Sequence, residues 1–460
     1  MEKIDVRGCF PVMNGGDGVI LSKRGDMCYG WEVVLPPAFR CNEQRYDAIV
    51  QALFSAVTLL PDYTIVHKQD VYMKKKYVAE KAYGILDEAY ERHFDGREYL
   101  DHRCRIFVTF STRRNLRGAN SGLLGILSGA GMPKGDALAR YSASADQFEA
   151  VVQSCGLLEL RRLTEAEVFG DQTRAGLIQD YLNFTDDGGD VISDIQMKRD
   201  RVRTGDRYVG CHLIADLDQL PAEVASFRKV ASLSTDSSGV SLSYMNEIGQ
   251  GLECEHIVNH FILKEPLKDI HGELDTRRRQ MLSMSARSAE NRMYSEELNE
   301  FLEETATEQM HTVRFHINVL AGGTADEFDS VKDKVVSAVS RMGVTPVYDI
   351  YDTPCQFWAS IPGNEAGLAY QEYMTADLKG ALCMGIYDGF EPGVPDGVMK
   401  MSDRLRLVPQ RFDIQERALE MGLIENYNVF LLGPSGSGKS FFMNKYLKSC
   451  YDAGQHVFLI

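Results

Sequence analysis

The chain has 460 residues, 44% of them hydrophobic and 25% charged, which is the composition of a globular protein with about two to four domains. Its formal net charge of −16 argues against a broad nucleic-acid-binding face, and no sequence-specific nucleic-acid contact is evident. Ten cysteines are scattered singly without a C-x-x-C pair, which predicts reduced thiols in a cytosolic compartment. Because the sequence contains neither an apolar run of about 18 residues nor a signal-peptide core, no membrane span or leader is expected.

The first part of the chain alternates strand and helix patterns. Asn42 is predicted to cap a helix that runs to about Leu60, with its apolar residues on one side. A second helix is expected at Val78–His93. The predicted strands are Gly18–Ser22, Met27–Leu35, Tyr63–Met73 and Cys104–Phe110. This order of elements predicts an N-terminal α+β subdomain of ferredoxin-like character at residues 1–115.

A basic connection rich in glycine and serine follows at Thr112–Gly135 and predicts an internal boundary. Within it, Leu123–Met132 is too short and too rich in glycine to span a bilayer, and we interpret it as a loop. Residues 116–390 are predicted to form a second α+β and helical region. Its predicted helices are Ala145–Cys155, Thr164–Phe184, Gln280–Met310 and Asp326–Met342. Its predicted strands are Arg207–Leu213, Val240–Tyr244, Leu252–Leu263, His311–Leu320, Val344–Tyr351 and Gln356–Ile361.

Glycines and prolines gather at Gly385–Gly397 and predict a linker. Beyond it, residues 391–460 are predicted to form the beginning of an α/β, RecA-like P-loop domain. The segments Val398–Arg406 and Gln410–Ile414 are expected to form a strand pair that leads into this domain. The fold class predicted for the whole chain is therefore mixed, with α+β regions followed by an α/β region.

The segment Asn428–Ile460 has the pattern of a strand, a glycine-rich loop, a helix and a second strand. Asn428–Leu432 is a short, largely apolar run, as expected of a strand that is buried on both faces. From Lys439 onward the apolar residues recur at helical spacing, and Gly454 is expected to end that helix. His456–Ile460 is predicted to open another buried strand.

The loop Gly433–Ser440 fits the pattern G-x-x-x-x-G-K-[ST] at every fixed position. Its glycines allow the backbone N–H groups to point inward around phosphates, and the following helix adds the positive end of its dipole. Lys439 is predicted to contact the β- and γ-phosphates of ATP, and the Ser440 hydroxyl to bind Mg²⁺. The candidate ATP-binding residues are Gly433, Pro434, Ser435, Gly436, Ser437, Gly438, Lys439 and Ser440.

A second constellation, Cys254, His256 and His260, has spacing that could serve a zinc ion on a strand or helix. No fourth ligand lies nearby in the sequence, so packed side chains are the favoured interpretation. Basic clusters at Lys74–Lys76 and Arg277–Arg279 are interpreted as solvated surfaces.

ATP hydrolysis also needs a carboxylate that organises Mg²⁺ and the attacking water. Asp216 and Asp352 each end an apolar run, but both precede the P-loop, and a simple strand end is the favoured interpretation. The sequence ends 21 residues after Lys439. We therefore expect the catalytic carboxylate to lie outside this chain, and no catalytic residue is assigned within it.

Three stretches resemble the TraG-type ATPases of conjugative transposons from Bacteroidetes, within the class of type IV secretion ATPases. They are GPSGSGKSFFMN at Gly433–Asn444 followed by HVFLI, KMSDRL at Lys400–Leu405, and LPDYTIVHKQD at Leu60–Asp70. The P-loop alone is shared by many families, and its combination with the other two stretches is the more specific sign.

The resemblance implies a cytoplasmic, hexameric motor on the inner-membrane face of a conjugation channel. Its N-terminal portion would dock to inner-membrane components of the channel, and its RecA-like region would hydrolyse ATP with Mg²⁺. An alternative is a non-catalytic assembly or interaction protein of the same apparatus. A small-molecule kinase is disfavoured, because it requires a compact P-loop domain and a lid, and the sequence supplies neither pattern.

Overall fold

The computed structural model describes residues 10–82, 85–118, 135–186, 188, 192–214, 219–221, 223–230, 239–285, 288–307, 310–347, 352–394, 397–403, 405–420, 422 and 424–458. The chain forms two compact units. The larger unit comprises Met1–Met73 and His102–Gly389, and the smaller unit comprises Lys74–Asp101 and Phe390–Ile460.

The strands of the described residues are, in chain order, β1 (Val12–Asn14), β2 (Ile20–Ser22), β3 (Met27–Val34), β4 (Thr64–Lys76), β5 (Glu98–Phe110), β6 (Glu159–Arg162), β7 (Ile195–Lys198), β8 (Arg201–Thr204), β9 (Arg207–Ile214), β10 (Phe227–Val230), β11 (Val240–Ser243), β12 (Glu255–Lys264), β13 (Thr312–Gly323), β14 (Met374–Asp377), β15 (Met399–Ser402) and β16 (Pro409–Phe412).

The α-helices of the same residues are α1 (Glu43–Leu59), α2 (Ile85–Phe94), α3 (Arg113–Arg117), α4 (Gly135–Gln153), α5 (Glu165–Phe169), α6 (Leu177–Asn183), α7 (Leu267–Met284), α8 (Ala289–Thr307), α9 (Phe328–Arg341), α10 (Thr353–Ala359), α11 (Leu378–Cys383), α12 (Glu416–Glu420) and α13 (Lys439–Asp452). None of the helices in the described ranges combines the length and the apolar character that crossing a bilayer requires.

Twelve of the described strands form one sheet, in which ten follow the order β1-β2-β3-β5-β4-β12-β13-β9-β8-β7. Strand β6 pairs with β3, and β14 pairs with β13. The seam between β4 and β12 is antiparallel and pairs Thr64–Tyr72 with His256–Lys264. The predicted mixture of helices and strands is thus confirmed, with a large antiparallel sheet as its main feature.

Helices cover both faces of this sheet. Neighbouring residues of a strand point to opposite sides, so alternate residues of one strand pack in two different cores. In β5, Ile106 and Val108 join the core that contains the apolar sides of α1, α4, α9 and α11. Phe107 joins the second core, which includes residues of α5, α6 and α10. The helix predicted after Asn42 is confirmed, since the Asn42 side chain accepts a hydrogen bond from the Arg45 backbone N–H at 3.0 Å.

The single helix predicted at Thr164–Phe184 is wrong, because two short helices, α5 and α6, occupy this segment. Gly170 has a φ of +81° at the end of α5, which a continuous helix cannot accommodate. A Cβ on Gly176 would lie 2.3 Å from the Gly170 nitrogen. The chain therefore turns sharply between the two glycines.

The long helix predicted at Gln280–Met310 is also wrong in its bounds. Two helices, α7 and α8, contact each other along this region. The second has its own start signal, since the Ser288 hydroxyl accepts a hydrogen bond from the Asn291 N–H at 3.3 Å.

The strand predicted at Gln356–Ile361 is replaced by helix α10. Pro354 lies in the first turn of this helix, where its missing N–H needs no partner. Residues 344–347 are not in a strand either, and the remainder of the predicted strand Val344–Tyr351 lies outside the described residues. The loop predicted at Leu123–Met132 lies outside them as well.

Candidate functional site

The loop Gly433–Ser440 leads directly into helix α13, as predicted. Gly436 and Gly438 have φ angles of +81° and +85°, a region in which any other residue type would be strained. A Cβ on Gly433 would lie 2.5 Å from the Ser437 hydroxyl oxygen. The backbone path therefore requires glycine at Gly436 and Gly438, whereas the close contact at Gly433 is with a side chain.

The Lys439 side chain folds back across this loop. Its ammonium group donates hydrogen bonds to the carbonyl oxygens of Gly433 at 2.8 Å and Pro434 at 2.7 Å. The Ser437 N–H also donates to the Pro434 carbonyl at 3.3 Å. These bonds close the loop around a positive charge.

The first turn of α13 supplies further donors. Phe442 N–H donates to the Gly438 carbonyl at 2.9 Å, which begins the helical hydrogen-bond ladder. The preceding N–H groups of the turn have no acceptor within the helix, and they carry the positive end of the helix dipole. Ser440 is exposed at this end, as are all residues of Gly433–Gly438.

These observations fit a bound polyphosphate. The loop has glycines where the backbone must curve, one lysine directed into it and a helix N-terminus behind it. A carbonyl oxygen and a phosphate oxygen both accept from an ammonium group, so phosphate oxygens can replace the two loop carbonyls.

The strand predicted at Asn428–Leu432 is not formed. A strand requires a hydrogen-bonded neighbour, and no described strand pairs with this segment. Phe430 is 85% exposed and Leu432 is 78% exposed, so the burial predicted for the run is also wrong. Residues 456–458 likewise form no strand, and Phe458 is 88% exposed, whereas the last two residues lie outside the described part of the chain.

The hairpin of β15 and β16 supports α13 from one side. The hairpin was predicted from the two lead-in segments, and its antiparallel pairing of Met399 with Phe412 confirms that prediction. Met399, Tyr446 and Cys450 form the buried core of this contact. Because Tyr446 is buried, the pKa of its hydroxyl is raised. The end of α13 also follows the prediction, since Gly454 has a φ of +84° just after it.

Acidic residues of α2 contact α13 and β15 through ion pairs that sequence reasoning missed. Asp87 pairs with Lys445 at 2.9 Å, and Glu91 pairs with Lys400 at 2.5 Å. Asp87 and Glu91 are four residues apart and so share one helix face. That spacing was a visible signal, but it did not identify partners more than 300 residues away.

The constellation Cys254, His256 and His260 is buried and packed. His256 Nδ1 lies 2.8 Å from the Cys254 carbonyl oxygen, and its ring stacks on Tyr72 at 4.5 Å. Among the described residues, no group of histidine, cysteine or acidic side chains could hold a metal ion. The burial and contacts of these side chains agree with the packed interpretation.

The two candidate catalytic carboxylates, Asp216 and Asp352, both precede the loop in the sequence. Asp216 lies outside the described residues. Asp352 directly precedes α10 in the larger unit, and burial raises the pKa of its carboxyl group. Neither residue acquires a catalytic assignment.

Residues 398–460 match the family model described as the TraG P-loop domain. This match begins at the β15 and β16 hairpin and includes the whole loop Gly433–Ser440, so the resemblance is confirmed for Lys400–Leu405 and Gly433–Asn444. The resemblance at Leu60–Asp70 lies outside the matched residues and stays a prediction. No curated protein matches the chain significantly.

Proposed function

We propose, from the premise that residues 398–460 form a TraG-type P-loop domain, that Gly433–Ser440 binds Mg·ATP. The family match supports nucleotide binding in general, and the choice of ATP and Mg²⁺ is part of the proposal. The observation that carries it is the position of Lys439, whose ammonium group lies against two carbonyls of a glycine-rich loop at a helix N-terminus.

Each residue of the loop has a defined task in this proposal. Lys439 would exchange the carbonyl oxygens of Gly433 and Pro434 for the β- and γ-phosphate oxygens. The backbone N–H groups of Gly436, Gly438 and the first turn of α13 would donate hydrogen bonds to the phosphates, and these contacts involve no side chains. The exposed Ser440 hydroxyl would bind Mg²⁺, which neutralises charge on the phosphates when it is present.

The protein as a whole is proposed to be a motor ATPase of a conjugation apparatus. Residues 1–115 and 116–390 would form its docking portion, and residues 391–460 the beginning of its RecA-like domain. In this proposal the motor is a cytoplasmic hexamer at the inner membrane and docks to inner-membrane channel components. The TraG-type match supports the link to conjugation, and the partners and hexamer rest on the family resemblance.

A ferredoxin-like arrangement is also part of the proposal, and it extends beyond residue 115 because it includes α4 and β6. The strand order β6-β3-β5-β4 supports it, with α1 between β3 and β4 and α4 between β5 and β6. The pairs of β3 with β5 and of β3 with β6 are antiparallel, as that arrangement requires.

Replacement of Lys439 with alanine tests the nucleotide site. We expect the affinity of the chain for Mg·ATP to fall by about 100-fold or more, because the main charged contact to the phosphates is lost. Isothermal titration calorimetry with Mg·ATP measures this change. Lys74→Ala is the matched control, since it removes the same charge from the smaller unit outside the loop. Equal affinity in the wild-type and Lys439→Ala chains would contradict the proposal.

The alternative is a non-catalytic assembly protein. It is favoured by the exposed, unpaired run Asn428–Leu432 and by the absence of an assigned catalytic carboxylate among the described residues. Phosphate release by the isolated chain distinguishes the two functions. Tight Mg·ATP binding with turnover that is lost in Lys439→Ala would reject the assembly role, and binding without turnover would support it.

A further inference from the structure

Helix α2 belongs to the segment Lys74–Asp101, which joins the smaller unit although it lies far from the P-loop in sequence. Asp87 Oδ1 lies 2.9 Å from the Lys445 ammonium group, and Asp87 Oδ2 lies 4.0 Å from that of Lys448. The Lys445 ammonium is also 5.6 Å from the centroid of the Tyr90 ring. Two side chains of α2 therefore contact the helix that begins at the P-loop.

One turn further along α2, Glu91 forms a second connection. Its carboxylate pairs with the Lys400 ammonium of β15 at 2.5 Å. It also accepts hydrogen bonds from the Tyr77 hydroxyl at 2.8 Å and from the Glu80 N–H at 2.9 Å. Because Glu91 is only 4% exposed and accepts from three donors, this contact is much less screened by water than a surface ion pair.

Lys445 and the P-loop lysine lie on the same helix. Lys445 follows Lys439 by six positions, which is about 9 Å along a rigid α-helix. A change in the position or order of the first turn of α13 therefore reaches Lys445 directly. Asp87 is placed to resist or favour such a change.

We propose that Asp87 and Glu91 are positioning residues for the P-loop, acting through Lys445 and Lys400. This inference rests on the proposed function. Binding of Mg·ATP and ordering of residues 74–101 are then linked equilibria, so that each makes the other more favourable. The segment is continuous with β4 and β5, whose remaining residues belong to the large sheet. Covalent continuity would then carry the nucleotide state from the loop into that sheet.

Hydrogen–deuterium exchange of the full chain, with and without Mg·ATPγS, tests this linkage. In the wild type we expect nucleotide to slow amide exchange in residues 85–94 by about three-fold or more. In Asp87→Ala we expect nucleotide still to bind, with about five-fold lower affinity, and the slowing in α2 to disappear. Glu88→Ala is the control, because it removes an exposed charge from the neighbouring position of the same helix.

Exchanging the charges of Asp87 and Lys445 tests the same contact if Asp87→Ala destabilises the fold. Asp87→Lys and Lys445→Asp should each remove the nucleotide-dependent protection of α2, and the double variant should restore it. If nucleotide binds the wild type but exchange in α2 does not change, this inference is overturned while the proposed site stands. If the wild type binds no nucleotide, both the proposed function and this inference are overturned.

Discussion

Replacement of Asp388 with alanine is expected to lower the free energy of unfolding of the larger unit by about 3–5 kcal/mol. The Asp388 side chain is fully buried and accepts three hydrogen bonds. The donors are the Ser243 N–H at 2.6 Å, the Tyr46 hydroxyl at 2.8 Å and the Asn246 amide at 2.8 Å. Alanine would leave these donors without their shared acceptor inside the protein, and the penalty for such groups is larger than the value of the bonds themselves.

Urea unfolding, followed by circular dichroism, measures this change. Asp388→Asn is the matched control, because an amide oxygen keeps one acceptor of the same shape and should reduce the loss by about half. Asp377→Ala is a second control, since that carboxylate is near the surface and caps only α11. A loss below about 1 kcal/mol for Asp388→Ala would show that the three donors find other partners.

A second large effect is expected on acidification, because the larger unit buries several histidines in their neutral form. Burial lowers the pKa of His212, His256 and His316 to about 4 and that of His260 to about 3. In the unfolded chain each would protonate near the ordinary value of about 6.5. As the pH falls below about 6.5, the unfolded state binds these protons and the folded state does not, so stability decreases.

The change in the free energy of unfolding per pH unit depends on how many buried histidines take up a proton on unfolding. Each histidine contributes up to about 1.4 kcal/mol per pH unit, so the four together reduce the free energy of unfolding by up to about 5 kcal/mol per unit between about pH 6 and 5. Glu372 acts in the opposite sense, because burial raises the pKa of its carboxyl group and the folded state then binds that proton more readily. The net loss is therefore smaller than the histidine sum.

Urea titrations at pH 7, 6 and 5 measure this dependence. His260→Gln should reduce the pH dependence of the free energy of unfolding by the contribution of one histidine, because glutamine does not titrate. Equal stability at pH 7 and pH 5 would contradict the assignment of neutral buried histidines.

Features with a local cause were predictable from the sequence. The glycines of the P-loop, the Asn42 cap and the turn at Gly454 each depend on one residue type in one backbone conformation. The β15 and β16 hairpin was also predictable from local sequence, because its two strands are close in the chain. The turn at the loop glycines and the start of α13 were thus predictable, and the nucleotide-binding role of the loop stays a prediction.

Features decided by tertiary contacts were not predictable. Strand β4 carries four consecutive polar residues, His67, Lys68, Gln69 and Asp70, yet all are buried. Their partners come from other elements, as when His67 contacts Asn259 of β12 at 3.0 Å and Glu365 at 3.2 Å. A single sequence gives no sign of such partners, and the same limitation explains why the contacts of Asp87 and Glu91 were missed.

The run Asn428–Leu432 shows the opposite error. Its apolar side chains predicted a buried strand, but burial requires covering elements as well as apolar residues. Since no described strand pairs with this run, the apolar pattern alone could not determine its conformation.

The seam between β4 and β12 has a consequence for synthesis of the protein. The two paired segments are separated by roughly 190 residues of chain, and β13, which pairs with β12, follows later still. On the ribosome, the edge of β4 must therefore stay unpaired until β12, which ends at Lys264, has emerged. Such an edge can pair with another nascent chain, so the time before β12 arrives is the period of greatest risk of aggregation.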